Sequence, residues 1–337
     1  MGKGKKGKQG KRKKDKRRQQ DERPKKDAAR GPGPGTDERA GARVDPGAWP
    51  ALELVEEVEL AALLGDELPG GGEASGVYHL DGQLYVVFDD APHVARIASG
   101  GWSARGKRRK GSAGATLFRQ RGAGGFEDLT FDPRERRWYL LVESAAQKGV
   151  WRPRVEEYSE DLRFLRAGWL DWEVEDENKG LEGLAFLRLG GRDCILGLCE
   201  GNYGRGGRRG REPGHGRLQL FARGKRDWEH VRELELPPEA AFEDYASLDV
   251  RGQAITVASQ SSSAVWLGRI EGLEGRGTFL HEGVLAFPRD RKGRPRYGSV
   301  EGVAWVAQDE LVAVSDQHET SSPGLHRAVH RFRIPRP

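Results

Sequence analysis

KGLEGLAFLRLGGRDCILGLCEGN, residues 179–202, is the stretch whose reading decides the fold. Two apolar runs of strand length flank a Gly-Gly turn, which is the pattern of a β-hairpin. It opens on Glu182 and closes on Glu200, two acids at the ends of a segment whose middle should be buried. The pattern recurs as SGVYHLDGQLYVVFDD (75–90), EDLTFDPRERRWYLLVES (127–144), ASLDVRGQAITVASQ (246–260) and EGVAWVAQDELVAVSDQ (301–317). The second positions of the five units are Gly76, Asp128, Gly183, Ser247 and Gly302, spaced by 52, 55, 64 and 55 residues. A period of that size signals a repeat architecture.

Each hairpin is followed by two further strand-like runs, except the fifth, which has one, LHRAVHRFRIP, before the chain ends. The missing strand lies at the other end. ALELVEEVEL (51–60) resembles the fourth strand of unit three, WEHVRELELP, and pairing it with the C-terminal strand closes a ring and removes two open edges. The chain is therefore read as all-β, a five-bladed β-propeller with six blades as the alternative count, over residues 48–337. A β-sandwich would not account for five matching hairpins with the last one circularly permuted. No helical period of any length appears, and the tryptophans, among them Trp138, Trp169, Trp172, Trp266 and Trp305, are expected between blades.

In a propeller the start of the innermost strand and the end of the second share one face. At the first of these positions stand Ser75, Glu127, Glu182, Ala246 and Glu301, with Glu243 and Asp244 as stand-ins for Ala246. The second position holds Asp89 with Asp90, Glu143, Glu200, Gln260 and Asp316. The expected result is a ring of carboxylates at one channel mouth. Crowded like charges need a proton or a cation. Oxygen donors suit a hard ion, Ca2+ or Mg2+, so Glu127, Glu182, Glu301, Glu143, Glu200, Asp316 and Asp89 are candidate ligands. Zinc is disfavoured, because His93, His318 and His326 lack ligand spacing. Against this stands a structural reading, in which the acids cap turns and the glycine after each lets strands approach the axis. Both remain open at this point.

Basic residues are expected around the acids. NYGRGGRRGREPGHGR (202–217) places Arg205, Arg208, Arg209 and Arg211 on the acidic face, and Lys148, Arg152 and PRDRKGRPR (288–296), with Arg296, are placed there too. GKRRK (106–110) belongs to the opposite face. An acidic centre with a basic rim suits a small anionic ligand that also touches a metal, a phosphate ester above all; the competing reading is a set of solvated loops. No G-x-S-x-G elbow supports a serine nucleophile.

The basic excess of the whole chain belongs to a tail. Residues 1–30 hold 15 Lys and Arg against 4 Asp and Glu; taken from totals of 57 and 52, this leaves the rest with 42 against 48. Residues 1–47, the Lys/Arg-rich tail and its Pro/Gly linker, are expected to be disordered. Nucleic acid or another polyanion is the partner residues 1–30 would take, and a solubilising extension is the alternative. No run is long and apolar enough to span a membrane, and the charged N-terminus lacks the apolar stretch of a secretory signal. Cys194 and Cys199, five apart on one strand, face opposite ways and cannot pair. A reducing, cytoplasmic setting and a monomer are the expectations.

FEDLTFDPRERRWYLLVES, KGLEGLAFLRLGGRDCILGLCEGN and VEGVAWVAQDELVAVSDQ resemble hairpins of the bacterial esterase-like or phytase-like β-propeller family. YASLDVRGQAITVASQSSSAVWL is similar to a blade of related calcium-binding propellers. The resemblance covers about residues 73–335. It implies a Ca2+-assisted phosphoester or ester hydrolase, and it marks Glu127, Glu182 and Glu301 with Glu143, Glu200 and Asp316 opposite. In that reading Glu182 or Glu301 is the catalytic base. The alternative function is a noncatalytic binding propeller with a polyanion-binding tail.

Overall fold

A computed structural model describes residues 49–99, 115–121, 125–175, 179–316 and 326–336. The basic residues 1–30 and the GKRRK run therefore lie outside the described residues. By its contacts the chain divides into Met1–Ala40 and Gly41–Pro337, and all the described residues belong to the second unit.

The described residues form five four-stranded antiparallel sheets. Blade 1 is β2 (Ala74–Leu80), β3 (Gln83–Phe88), β4 (His93–Ala98) and β5 (Thr116–Arg119). Blade 2 is β6 (Leu129–Asp132), β7 (Arg137–Gln147), β8 (Val150–Ser159) and β9 (Phe164–Trp169). Blade 3 is β10 (Leu181–Leu189), β11 (Arg192–Cys199), β12 (Arg217–Arg223) and β13 (Trp228–Glu235). In blade 4 the strands are β14 (Ser247–Arg251), β15 (Ala254–Ser259), β16 (Ala264–Glu271) and β17 (Thr278–Ala286). Blade 5 joins β18 (Val300–Ala307), β19 (Glu310–Ser315) and β20 (Ala328–Arg333) to β1 (Glu53–Glu59). The innermost strands touch in a closed cycle, β2 to β6, β10, β14, β18 and back to β2. The molecule is a five-bladed β-propeller.

Because both faces of a blade are covered by neighbours, strands here alternate between two cores rather than between core and water. Five buried apolar clusters result, each filling one gap between adjacent blades. The two cysteines of β11 illustrate the alternation. Cys194 packs into the gap toward blade 4 and Cys199 into the gap toward blade 2, and both are free and buried. Trp138 and Trp266 are fully buried between blades, as expected, while Trp169, Trp172 and Trp305 are half-buried.

Closure is as the sequence suggests: β1 pairs with β20 antiparallel, Glu53 opposite Arg333 and Glu59 opposite Ala328. Across this sheet the Ser315 hydroxyl lies 2.8 Å from Nε2 of buried His330, whose Nδ1 is 3.5 Å from Glu57. One element is not foreseen. The run read as strand to residue 60 turns at Glu59 into a short helix α1 (Leu60–Leu64), which buries Leu60, Leu63 and Leu64 in the gap between blades 5 and 1. A single turn is too short for a periodicity to reveal.

At the axis the inner strands approach until only glycine fits. A Cβ on Gly76 would meet the Asp128 Cα at 2.7 Å, one on Gly183 the Leu248 Cβ at 2.7 Å, and one on Gly302 the Gly76 Cα at 3.0 Å. Each of these glycines follows a register shift, between Ala74 and Gly76, Leu181 and Gly183, and Val300 and Gly302. The skipped residues are Ser75, Glu182 and Glu301, so each stands on a bulge that turns it out of the pleat. Side chains of the intervening blades tie the ring laterally. Asp128 Oδ2 accepts from Leu184 N at 2.7 Å and Thr130 Oγ1 from Phe186 N at 3.0 Å. Ser247 Oγ accepts from Val303 N at 2.9 Å and Asp249 Oδ2 from Trp305 N at 2.8 Å.

This packing has a direct test. Gly76→Ala forces a methyl against backbone and should lower unfolding stability by about 1–3 kcal/mol, the usual range for overpacking. Gly283→Ala, on β17 where a Cβ meets nothing within 4 Å, should leave it unchanged or slightly raised. Urea unfolding of the two variants compares them, and equal midpoints would mean the axis has slack.

Candidate functional site

The bulges and strand ends bring the expected acids to one mouth of the channel. Leu181 pairs with Cys199, so Glu182 and Glu200 leave the same end of the β10–β11 hairpin. Glu127 and Glu143 leave the corresponding end of blade 2, where Glu127 N donates to Leu141 O at 3.0 Å. Glu301 and Asp316 do so in blade 5, where Val300 pairs with Ser315, and Asp89 follows β3 in blade 1. The ring has two weak points. Ser75 turns its hydroxyl to Phe126 O, 2.5 Å away, and blade 4 offers Gln260, whose amide donates to Glu301 Oε1 at 3.1 Å. Asp244 does not replace Ala246 as a ring acid; it accepts from Ser259 Oγ at 2.6 Å and from Ser261 N at 3.1 Å and so fastens a turn.

Two acidic arcs remain. In the first, Glu143, Glu182 and Glu200 present carboxylate oxygens all within 4.8 Å of one another, with Glu127 beside them. The second comprises Glu301, Asp316, Asp89 and Glu73. Burial first, and the neighbouring carboxylates after it, hold Glu182 and Glu301 well above the usual carboxylate range. Glu127 is pushed up to about 8 by burial and by Glu143, Asp89 and Glu200. Glu143 is raised chiefly by burial, although its Oε1 accepts from Gly180 N at 2.9 Å. Asp89 is exposed as a residue, yet loss of solvent around its carboxyl, ahead of the charges of Glu73 and Asp90, pushes it up to about 6. The direction of these shifts favours the protonated form of Glu182 and Glu301, so a proton-donor role suits them as well as the base role expected from sequence.

Among the described residues, each arc is met by a cation that sequence reasoning passed over. Lys179 Nζ lies 2.5 Å from Glu200 Oε2, and Arg327 Nε lies 3.8 Å from Asp316 Oδ1. Lys179 was visible three residues before Glu182. Glu73, two residues before Ser75 in GGEASG, supplies the acid that Ser75 itself lacks.

The expected basic rim is dispersed. Arg205 and Arg211 line a cleft of about 390 Å³ with Lys179, Glu200, Asp244 and Gln260, next to the first arc. Arg209 lies over the Tyr203 ring, 4.4 Å from its centroid, and Arg208 is exposed. Lys148 occupies the tip of the long β7–β8 hairpin and lines a different cleft with Arg152 and Trp169. Arg296 is engaged by buried Glu57 at 3.2 Å. The insertion carrying Arg205 is a folded wall. Buried Asn202 donates to Gly210 O and Phe242 O, each at 3.1 Å, and accepts from His215 N at 2.8 Å.

No protein-family model matches the chain, and no curated protein matches it. Solved structures with some similarity include a GH43_1 enzyme from Xanthomonas citri complexed with xylose, at 14% identity and TM-score 0.43, covering 78% of this chain and 87% of that one. Another is the PQQ-bound aldose sugar dehydrogenase of Streptomyces coelicolor, at 13% and 0.41, covering 85% and 99%. A third is a putative oxidoreductase (glucose dehydrogenase) from Thermus thermophilus, at 15% and 0.43, covering 84% and 99%. Likeness of this degree carries nothing about the reaction, and none of the three supports the phytase-like or esterase-like resemblance.

The raised carboxylates make stability depend on pH. A folded-state value above the ordinary 4.5 means that the native protein binds more protons than the unfolded chain between about 4.5 and 8. That contribution is complete below the unfolded value and is lost as pH rises through the folded one. In chelator-treated buffer the melting temperature should fall from pH 5 to pH 8. Glu127→Gln should flatten this slope and raise the melting temperature at pH 8; an unaltered slope would show that Glu127 ionises normally.

Proposed function

We propose that the acidic mouth binds a hard divalent cation, Ca2+ or Mg2+, and that the chain is a hydrolase of phosphoesters or carboxyl esters acting there. The observation that carries this reading is the first arc: three carboxylates whose oxygens lie within 4.8 Å of one another. Such a group ionises together only if a cation joins it, and an all-oxygen donor set fits Ca2+ or Mg2+ rather than zinc. Glu143, Glu182 and Glu200 would hold the ion, with Glu127 next to them. A bound cation supplies Lewis acidity toward an ester or phosphoryl oxygen.

The chain's own groups complete the site. Glu301, outside the three-carboxylate group and held by the Gln260 amide, would be the group that delivers a proton to a leaving oxygen. Arg205 and Arg211, on the adjoining cleft, suit the anionic part of a substrate. Burial first, and the charges of Asp89 and Asp316 after it, raise Glu301 above the usual carboxylate range and favour its protonated form. The second reading is a noncatalytic binding propeller whose residues 1–30 take a polyanion. It draws on the Lys179–Glu200 pair and the Asp244 turn, which satisfy acids without any added ion.

Calorimetric titration of CaCl2 and MgCl2 in buffers of different ionisation enthalpy tests the cation site. One ion should bind with release of protons at pH 7, and Glu182→Gln should weaken it at least about tenfold, roughly 1.4 kcal/mol. A panel of phosphoesters and carboxyl esters then separates the readings. Glu301→Gln should lower kcat on a turned-over substrate by about 10²-fold or more, the scale of a general acid. Cation binding without turnover of any ester would favour the binding propeller, and absence of both would end the hydrolase reading.

A further inference from the structure

Lys179 stands at the boundary between the first acidic arc and the cleft. Its ammonium is bonded to Glu200, within the three-carboxylate group. Its stem runs along the insertion wall, where a Cβ on Gly206 would meet Lys179 Cγ and Cδ at 3.1 Å. Both side chains of the pair are about one-third exposed, on the cleft side where Arg205 and Arg211 stand. These two arginines are exposed and pair with no carboxylate among the described residues. Glu175 is occupied with Gly206 N at 3.4 Å, and Asp244 is occupied by its serines.

An ammonium and a divalent ion cannot both be accommodated by the same carboxylate oxygens without mutual repulsion. A tethered lysine that loses Glu200 can turn to the adjoining cleft, whose lining holds the exposed acid Glu243 as well as Arg205 and Arg211. We propose that Lys179 couples a cation site to an anion site: it neutralises Glu200 until a divalent cation takes the carboxylates, then turns to the cleft and, with Arg205 and Arg211, binds an inorganic or substrate oxyanion. This rests on the proposed cation site. Cation and anion then bind cooperatively, and by linkage each strengthens the other equally.

The test titrates MgCl2 into the full chain with and without sodium sulfate, at constant ionic strength in chloride and with free Mg2+ corrected for sulfate pairing. In the wild type, sulfate should tighten Mg2+ binding by about fivefold or more, the lower end of measured couplings. Lys179→Met should bind Mg2+ more tightly than wild type without sulfate, and sulfate should no longer help. Lys179→Arg, which keeps the charge, should retain the coupling, and thermal melts establish that both variants fold. Mg2+ binding that is indifferent to sulfate and to Lys179→Met overturns the coupling and leaves the cation site standing. No Mg2+ binding under either condition overturns both.

Discussion

Everything in this molecule depends on how closely five strands can approach one axis. With few blades the channel is narrow, and the innermost strands meet backbone to backbone at Gly76, Gly183 and Gly302. Any side chain there would push adjacent blades apart and open the apolar gaps that hold the ring together. Close approach also fixes the bulges, because the residue before each glycine must be turned out of the pleat for the hairpin to continue in register. The glutamates are therefore not inserted into a core; they are what the bulge expels toward the mouth.

The same narrowness accounts for the electrostatics. Acids expelled from adjacent strands cannot separate, so desolvation and mutual repulsion act on all of them at once. The protein tempers this by interrupting the ring. Ser75 and Gln260 remove charge at two positions, and Lys179 and Arg327 add opposite charge at two others. Two acidic arcs are left, and the one on blades 2 and 3 faces a cleft whose wall carries exposed arginines.

The fold was legible because a propeller repeats itself. Five copies of one hairpin and a displaced strand at the N-terminus specify both blade number and closure, and the glycine after the acid already pointed to the axis. The helix after β1 was not legible, since one turn gives no period, and Leu60, Leu63 and Leu64 read equally well as the end of a strand. For the site, sequence spacing placed the ring acids on one face but could not weigh what stands between them. Lys179 sits in the very stretch that defines the fold, yet its bond to Glu200 arises from the hairpin geometry that brings residue 179 beside residue 200. The basic rim dispersed for a similar reason. Arg296 has a buried partner 239 positions away in Glu57, a pairing created only when the ring closes.

That closure has a temporal side. β1 is the first strand of the described residues and β20 the last, so the sheet joining Glu53 to Arg333 cannot form until synthesis has passed all five blades. Until then blade 5 lacks its outer strand, and Glu57 and Arg296, together with the His330 to which Glu57 is linked, have no permanent partners. Contacts of such sequence separation slow folding, so completion of the last sheet is the natural final step of biosynthesis. A chain cut short within β20 would keep four good blades and still leave an unzipped ring with exposed strand edges.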